Sequence, residues 1–425
     1  MLPNRDVAVF ELLLFDLDDT LLRTADLKEV RELGRNSDTE EYRIRVRTAY
    51  SMNSKRLIYS VDLLRVIRSD FPSLKIGVFT RAPRSYAETV LACAYPGFEW
   101  DVMVAFEDVK RTKPFGMGIH QAMDAFGLER LDHVLMVGDQ DTDVRAAYNA
   151  GVAVVLNTSS WAIDRTYDNW NSLAHIPDAI IDDPEDLLGV LQALPKYQPD
   201  LERLLAGIKE SIRPRRYDRV GKFIPKAVAI DKTPYPVFVC GRSFAGYRSI
   251  SEREKWHLLS KSVQENKDST VFPEEWVNSI HGFIRKKYPE LAFSGNLVVS
   301  VVPHRPGRTP RLENFLRQIE ACVRENTFTG SDRITFEPEL LAYRDGVLSN
   351  HKFHLNAAER FGNVRDHLYV KKPDAVMPRK MVLVIDDVCT TGASLIYAGK
   401  FLEAAGSGEV TRLAISMNIG NVLYD

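Results

Sequence analysis

Apolar runs of strand length alternate with helical patterns along the first half of the chain. The runs at 11–16, 75–80, 134–138 and 153–156 are short and nearly continuous, as in parallel strands that are buried on both faces. The stretches between them place apolar residues at helical spacing. This alternation predicts a doubly wound parallel α/β domain over residues 1–194.

The second half repeats the alternation with different sequences. Runs at 236–240, 297–302, 382–385 and 412–416 predict a second doubly wound parallel-sheet domain over residues 227–425. The fold class is therefore α/β, with two such domains. Within the second domain, residues 227–290 are a candidate hood over a binding site.

Residues 195–226 interrupt the pattern between the two predicted domains. A short helix over about 199–212 ends at Pro214, inside a stretch rich in basic residues. The basic residues are Arg213, Arg215, Arg216, Arg219, Lys222 and Lys226. This stretch could bind RNA or an acidic face of the other domain, and a solvated linker is the favoured interpretation.

The composition is typical of a globular protein and gives it almost no net charge. Hydrophobic residues make up 45% and charged residues 27% of the 425-residue chain, and the net charge is −2, which does not predict binding to nucleic acid or to an anionic membrane. The four cysteines are scattered without paired spacing, so neither disulfides nor a zinc cluster is indicated. The acidic residues Asp6 and Glu11 precede the first apolar run, which argues against a signal peptide. No apolar run approaches the roughly 18–20 residues that a membrane span needs. We expect a cytoplasmic protein.

Groups suited to phosphoryl transfer occur at the predicted strand ends of the first half. In "LLLFDLDDTLL", Asp16 and Asp18 follow a buried run, and Thr80 ends the next one. Two carboxylates there can divide the work, one as nucleophile and metal ligand and the other as proton donor. Lys113, followed by Pro114, adds an isolated cation, for which Lys110 is a weaker alternative.

A third strand end adds two more acids. In "MVGDQDTDV", Asp139 and Asp143 follow the run at 134–138, and Gly138 allows close approach of the backbone. Because ligands bind at the carboxyl ends of parallel strands, we expect all these groups to converge. Together they offer the nucleophile, hydroxyl, cation and metal-binding acids that phosphoryl transfer requires.

These residues resemble the four ordered motifs of phosphatases of the haloacid-dehalogenase superfamily. The resemblance covers roughly residues 10–193 and rests on Asp16-Leu17-Asp18-Asp19-Thr20, Thr80, Lys113, Gly138-Asp139 and Asp143. It implies that Asp16 attacks phosphorus, that Asp18 protonates the leaving oxygen, and that Thr80 and Lys113 hold the phosphoryl oxygens. It also implies an Mg²⁺ ion held by Asp16, Asp139 and the backbone carbonyl of Asp18, with Asp143 binding directly or through water.

Little sequence is available for a cap over this site. The stretch before Thr80 must also hold a core helix around 55–70, so an inserted cap is small. Residues 24–50 are charged and predict surface helix. The site is then either open or covered by the second domain or by another subunit, which leaves a homo-oligomer open.

A second constellation lies in "VIDDVCTTGAS", residues 384–394. An apolar strand ends before Asp386 and Asp387, and a helix is predicted from Leu395 to Ala405. The loop between them offers small and hydroxylated residues, namely Thr390, Thr391, Gly392 and Ser394. Such a loop at a helix N-terminus favours phosphate, and two carboxylates beside it can accept hydrogen bonds from vicinal hydroxyls. The ensemble suits a ribose 5-phosphate.

This stretch resembles the phosphoribosyl-pyrophosphate (PRPP) motif of type I phosphoribosyltransferases, and in particular their competence-protein branch. The resemblance covers roughly 295–420 and includes "VVSVVPHRPGR" (298–308) as the pyrophosphate loop and the pattern at 343–370. It implies that Asp386 and Asp387 hold the ribose hydroxyls and that residues 390–394 wrap the 5-phosphate. Arg305 and Arg308 are the preferred cations for pyrophosphate, and the weaker candidates are His304, Lys352 and Arg360. Cys389 is interpreted as a core residue rather than a nucleophile.

The two motif sets together indicate a bifunctional enzyme. A base-like acceptor would be coupled to PRPP, and the phosphatase would remove the 5-phosphate of the product. An alternative remains, in which the second domain senses PRPP or a nucleotide and regulates the phosphatase without catalysis.

Overall fold

The computed structural model describes residues 10–209, 213–223, 233–348, 355–420 and 422, with the backbone alone at residues 222 and 223. The chain divides into two compact units. The first comprises Met1–Gln198, Phe244–His257 and Gly420–Asp425, and the second comprises Pro199–Ser243 and Leu258–Ile419. Both units are built on largely parallel sheets.

Six parallel strands form the sheet of the first unit, in the order β3-β2-β1-β4-β5-β6. The strands are β1 (Leu12–Phe15), β2 (Lys75–Phe79), β3 (Val102–Val104), β4 (Val134–Gly138), β5 (Ala153–Asn157) and β6 (Ala179–Ile181). The four predicted strands are confirmed. The two that were not predicted, β3 and β6, have three residues each, too few to show a periodicity. The order places β1 and β4 side by side at the centre, as in a Rossmann-like core.

Helices connect these strands and cover the sheet. They are α1 (Lys28–Leu33), α2 (Glu40–Ser51), α3 (Val61–Asp70), α4 (Arg84–Ala94), α5 (Met117–Asp124), α6 (Asp141–Ala150), α7 (Tyr167–Ala174) and α8 (Asp186–Ala193). Their starts follow local chemistry: the Ser60 side chain accepts from the Leu63 N–H at 3.0 Å and caps α3. Gly151, with φ of 82°, ends α6 in the left-handed conformation that glycine allows.

The charged stretch at 24–50 is helical, as predicted, and part of it is anchored to the core. Tyr42 and Val46 of α2 are buried in the same apolar cluster as Phe15 and Leu64. By contrast, α1 buries none of its own residues. Residues 25–51 therefore form a small insert in which α2 is fixed by packing and α1 is held by few contacts.

Seven strands form the main sheet of the second unit. The path runs β11-β10-β14-β15-β8-β7, and β9 also pairs with β15. The strands are β7 (Asp218–Phe223), β8 (Tyr235–Val239), β9 (Arg242–Phe244), β10 (Leu297–Val301), β11 (Ile334–Phe336), β14 (Met381–Cys389) and β15 (Val410–Ile419), with β12 (Leu341–Tyr343) and β13 (Leu368–Val370) as a separate antiparallel pair. From β11 to β8 the pairing is parallel, whereas β7 is antiparallel to β8.

Helices of the second unit pack on this sheet. Among the described residues, these helices are α9 (Asp200–Leu205), α11 (Leu258–Glu265), α12 (Glu274–Lys287), α13 (Arg311–Glu325), α14 (Ala357–His367) and α15 (Ala393–Ala404). The helix α10 (Ser251–Glu254) belongs to the first unit. Trp276 of α12 and Phe315 of α13 join Leu383 of β14 in one buried cluster. None of the helices that the structure describes is long and apolar enough to cross a membrane.

The prediction of a linker at 195–226 has to be corrected. Its helix α9 is shorter than predicted and is largely buried, and β7 pairs with β8 in the main sheet. Two of its arginines bind carboxylates rather than water: Arg216 pairs with Asp218 at 2.9 Å, and Arg215 lies 3.8 Å from Asp200. Most of this stretch is therefore part of the second unit, while Lys226 lies outside the described residues.

Much of the candidate hood at 227–290 is built into the two units. Residues 235–239 form β8 of the main sheet, α12 contributes to the core, and residues 244–257 belong to the first unit. Lys267 and Asp268 of the same segment line a pocket of the second unit, and a hood over a binding site stays a prediction.

Candidate active sites

Three buried carboxylates converge at the carboxyl end of the first sheet. Asp16 follows β1, Asp139 follows β4, and Asp143 lies in the first turn of α6. One oxygen from each lies within 4.8 Å of the others. At Gly138 an added Cβ would lie 2.3 Å from the Asp143 Cβ, so glycine is needed there for the close approach. Burial, and then repulsion by Asp143 and Asp16, raises the pKa of Asp139 well above its usual range.

Lys113 is the cation of this cluster. Its Nζ lies 2.5 Å from Asp16 Oδ1 and 2.7 Å from Asp143 Oδ1. Burial acts to lower the pKa of Lys113, but the two carboxylates outweigh it and the pKa is raised. Burial raises the pKa of Asp16 to about 7, although Lys113 opposes the shift. Lys110 is exposed, so the structure places Lys113 in the cluster.

Asp18 is held from two sides. On the core side, the hydroxyls of Thr24 and Tyr86 donate to Oδ1 at 2.6 and 3.1 Å. On the other side, Arg31 Nη1 lies 2.8 Å from Oδ2. The Asp18 side chain is not one of the three carboxylates that converge, and the metal-ligand role that the resemblance implies for its backbone carbonyl stays a prediction.

A pocket of about 330 Å³ opens onto these groups. Asp16, Asp18, Thr80, Lys113 and Asp143 all line it. Thr80 is buried at the end of β2, and its Oγ1 accepts from the Ala82 N–H at 3.0 Å. The structure therefore brings together the side chains that the sequence singled out in the first half.

One wall of the pocket was not foreseen. Lys28, Arg31, Glu32 and Arg35 of the insert line it, together with Arg81. The prediction considered an open site or a cover from elsewhere, whereas the insert itself forms part of the wall. The signal was present in the spacing, since Lys28, Arg31 and Arg35 recur at helical intervals on one face.

In the second unit, Asp386 and Asp387 lie within a strand rather than beyond its end. β14 continues to Cys389, and Asp386 pairs with Ala414 of β15. The backbone N–H of Asp387 donates to Asp386 Oδ1 at 3.0 Å. Burial, followed by repulsion from Asp387, raises the pKa of Asp386 well above its usual range. The strand was predicted too short because its last residues are polar.

The loop after β14 is short and adjoins a pocket of about 370 Å³. The pocket is lined by Asp386, Asp387, Thr390, Thr391, Gly392, Ser394, Arg305 and Arg308, among others. Gly392, with φ of 74°, directly precedes α15, so a residue with a side chain would be strained there. Burial raises the pKa of Tyr343, another lining residue, to about 12.

Two features of this pocket come from α13. Arg311 Nη1 lies 3.2 Å from Asp387 Oδ2. Glu313 Oε1 accepts from the His304 backbone N–H at 2.8 Å and lies 2.7 Å from His304 Nδ1. Neither residue was singled out from the sequence, because nothing in the local pattern distinguishes them from other charged residues at the start of a helix.

The remaining candidate residues of the second unit differ in where they lie. Arg360 Nη1 donates to Thr390 Oγ1 at 3.2 Å and so reaches the loop. Cys389 is buried, and burial raises its pKa, which fits a core residue rather than a nucleophile. Lys352 lies outside the described residues.

Comparisons with known proteins concern the first half of the chain. Residues 30–157 match the family model "Haloacid dehalogenase-like hydrolase". The chain is 31% identical over 121 residues to the "Pyrophosphatase PpaX" of Bacillus mycoides, covering 28% of this chain and 53% of that protein. It is 30% identical over 119 residues to a "Phosphoglycolate phosphatase" of Photorhabdus laumondii, covering 28% and 48%. The chain thus spans about half the length of the curated relatives it matches.

Two solved structures align over a larger part of the chain. A hydrolase from Pseudomonas syringae aligns over 43% of this chain and 97% of its own, with 20% identity and a TM-score of 0.32. A HAD-superfamily hydrolase from Geobacter sulfurreducens aligns over 43% and 99%, with 15% identity and a TM-score of 0.29. By the family model and the curated relatives, the N-terminal part of this chain is similar to hydrolases of the haloacid-dehalogenase superfamily.

Proposed function

We propose that the first unit hydrolyses a phosphate monoester. The observation that carries this proposal is the buried convergence of Asp16, Asp139 and Asp143 with Lys113, in a pocket that Thr80 also lines. The similarity to hydrolases and phosphatases over this part of the chain supports it.

The carboxylate trio fits Mg²⁺. Carboxylate oxygens are the ligands that this ion prefers, and three buried acids that repel one another have Lys113 as a nearby cation. The side chains of Asp16, Asp139 and Asp143 would hold it, with the carbonyl of Asp18 as a further ligand. When bound, Mg²⁺ would neutralise charge on the transferring phosphoryl group.

The chain's own residues then have the following roles. Asp16 attacks phosphorus and forms an aspartyl-phosphate, while the bond to the leaving oxygen breaks and that oxygen takes a proton from Asp18. Water next attacks the phosphoryl group and gives a proton to Asp18, which releases phosphate and restores both acids. Thr80 and Lys113 hold the phosphoryl oxygens.

For the second unit we propose PRPP binding and phosphoribosyl transfer. Asp386 and Asp387 would hold the ribose hydroxyls, and the loop of Thr390, Thr391, Gly392 and Ser394 would hold the 5-phosphate. A nitrogen of the base-like acceptor would bond to C1 as the bond from C1 to pyrophosphate breaks. Arg305 and Arg308 would stabilise the charge on the pyrophosphate.

The two reactions join in sequence. The transferase forms a ribose 5-phosphate ester, and the phosphatase removes its phosphate and so draws the transfer forward. The competing proposal is that the second unit senses PRPP and regulates the phosphatase. A second candidate substrate of the phosphatase is pyrophosphate, the other product of the transfer, because Lys28, Arg31 and Arg35 place cations along one wall of the pocket and a relative is named a pyrophosphatase.

Mass spectrometry of full-chain reactions with PRPP, Mg²⁺ and a metabolite extract tests the joint function. Wild type should release a dephosphorylated ribosylated product, Asp16→Asn should accumulate its 5-monophosphate, and Asp387→Asn should form neither. If no ribosylated species forms and PRPP changes the rate of phosphate-ester hydrolysis, the sensor proposal holds instead. Wild-type hydrolysis by Asp16→Asn would remove the assignment of the nucleophile.

A further inference from the structure

The phosphatase chemistry described above does not explain the position of Arg31. Its guanidinium ion-pairs with Asp18 Oδ2 at 2.8 Å, on the side of that carboxylate opposite to the two hydroxyls. Yet Asp18 must act on the leaving oxygen of the ester, and a guanidinium on Oδ2 occupies one of its two oxygens. Arg31 therefore either lowers activity or has a second partner during turnover.

The two sides of Asp18 differ in rigidity. Thr24 and Tyr86, which hold Oδ1, are fully buried. Arg31 comes from α1, a helix of six residues with no buried residue, and its side chain is 27% exposed. The helix itself is held through Val30, whose carbonyl accepts from the Tyr42 hydroxyl at 3.0 Å and whose half-buried side chain packs against the core. The Arg31 side of the contact can therefore change partners while Asp18 stays in place.

The surroundings of Arg31 identify the partner's charge. Lys28, Arg35 and Arg81 line the same pocket, against one acid from the insert, Glu32. Lys113 already serves the phosphoryl end through its contacts with Asp16 and Asp143. Lys28, Arg31 and Arg35 lie on the wall built by the insert, and Arg81 follows β2, so these cations are available to a second anionic group of the substrate.

From this arrangement we infer that Arg31 is a specificity residue that binds a second anionic group on the substrate and leaves Asp18 when it does so. The inference rests on the proposed phosphatase function and narrows its substrate class to compact phosphate esters or anhydrides with a carboxylate or phosphate beside the leaving oxygen. Of the two substrates proposed above, it therefore favours pyrophosphate over the ribosylated 5-monophosphate. Substrates without that group would leave the guanidinium on Asp18 and would react more slowly.

A matched substrate pair tests the inference in the full chain with Mg²⁺. Phosphoglycolate and 2-hydroxyethyl phosphate have nearly the same size, but only the first carries a carboxylate. Wild type should prefer phosphoglycolate by about 10-fold or more in kcat/KM, as expected for a charge-assisted bidentate contact. Arg31→Gln should abolish the preference, and Arg31→Lys should keep part of it.

Arg45→Gln is the matched control, because Arg45 is an exposed arginine of the same insert and does not line this pocket. It changes the net charge equally and should preserve the preference. A preference that survives unchanged in Arg31→Gln would overturn the inference and leave the phosphatase proposal intact.

If the protein shows no turnover, binding measurements distinguish the anion site at Arg31 from the proposed phosphatase function. 3-Phosphonopropanoate and 3-hydroxypropylphosphonate are non-hydrolysable counterparts of the substrate pair, with a CH2 group in place of the bridging oxygen, and calorimetry measures their affinities. A preference for 3-phosphonopropanoate that depends on Arg31, in a protein without turnover, would support the anion site while contradicting the phosphatase. Equal affinities of the wild type for the two phosphonates would overturn the anion site.

Discussion

Lys113 shows how much a single side chain contributes to the first site. Its ammonium group is almost fully buried and contacts Asp16 and Asp143 at 2.5 and 2.7 Å. Removing one partner from a buried ion pair leaves an uncompensated charge, which costs more than the pair itself contributes. Lys113 therefore links the stability of the first unit to the chemistry of its site.

We predict that Lys113→Met lowers the free energy of unfolding by about 3–5 kcal/mol in the presence of a chelator. Excess Mg²⁺ should recover part of this loss, because a divalent cation compensates the same carboxylates. Urea unfolding with and without Mg²⁺ measures both effects. Lys110→Met is the control, since Lys110 is exposed and should change stability by no more than about 0.5 kcal/mol. Equal stability of the two variants would contradict the prediction.

His281 on α12 gives a pH dependence to the second unit. Burial lowers the pKa of its imidazole, and the nearby Arg285 and Arg215 lower it further, against a hydrogen bond to the Asn326 carbonyl. The unfolded chain therefore takes up this proton at higher pH than the folded one. The contribution of this imidazole to the free energy of unfolding is fully present above about pH 6.5, the ordinary pKa of histidine, and it is lost as the pH falls below that value.

We predict that His281→Gln makes the free energy of unfolding less dependent on pH between about 6.5 and 5. For a single proton the difference cannot exceed about 1.4 kcal/mol per pH unit. Urea unfolding of both proteins at several pH values measures the slopes. Parallel slopes for wild type and variant would show that this imidazole does not titrate differently on folding.

At the scale of elements, the first turn of α13 organises the second pocket. Arg311 reaches Asp387, and Glu313 holds both the backbone N–H and the ring of His304. His304 directly precedes Arg305, so the position of the loop that carries the pyrophosphate-binding candidates depends on this helix. The start of α13 thus contacts both β14, through Asp387, and the loop that follows β10, through His304.

We predict that Glu313→Gln weakens PRPP binding by about 10-fold, because hydrogen bonds to a charged group contribute on the order of 1.5–3 kcal/mol. Calorimetric titration with Mg²⁺ measures the affinity. Glu320→Gln on the same helix is the control, since Glu320 pairs with Arg324 on the surface. An equal effect of the two substitutions would show that the contact with His304 does not shape the loop.

At the scale of the molecule, the first unit is completed by a segment that lies far along the chain. Arg253, from the 244–257 segment, is fully buried and pairs with the fully buried Asp178. Its guanidinium also lies 4.8 Å from the ring of Tyr148 and 4.7 Å from that of Trp256. A charged residue from beyond β9 is therefore part of the first core.

We predict that Arg253→Leu lowers the free energy of unfolding of the first unit by about 3–5 kcal/mol, because Asp178 stays buried without its charge partner. The double variant with Asp178→Leu should be less destabilised than the single one. Urea unfolding followed by loss of phosphatase activity measures both. Arg248→Leu, at an exposed arginine of the same segment, is the control, and a loss equal to that of Arg253→Leu would contradict the prediction.

The sequence alone determined the strands that carry the chemistry. β1, β2, β4 and β5 were predicted because strands buried on both faces must be apolar throughout. The positions of Asp16, Thr80 and Asp139 then followed, since polar residues directly after such strands lie at a common sheet edge. Lys113 lies in a loop well beyond β3 and was singled out as an isolated cation before a proline. The same reasoning located the 384–394 stretch, although it ended β14 too early.

Only the tertiary structure decided which distant charges meet. Arg31 with Asp18, Arg311 with Asp387 and Arg253 with Asp178 are pairs between different elements. It also turned the predicted linker into α9 and β7 of the second unit. Periodicity reports which face of an element is buried, but the partner of a charged side chain depends on how elements pack, and that information is not local in the sequence.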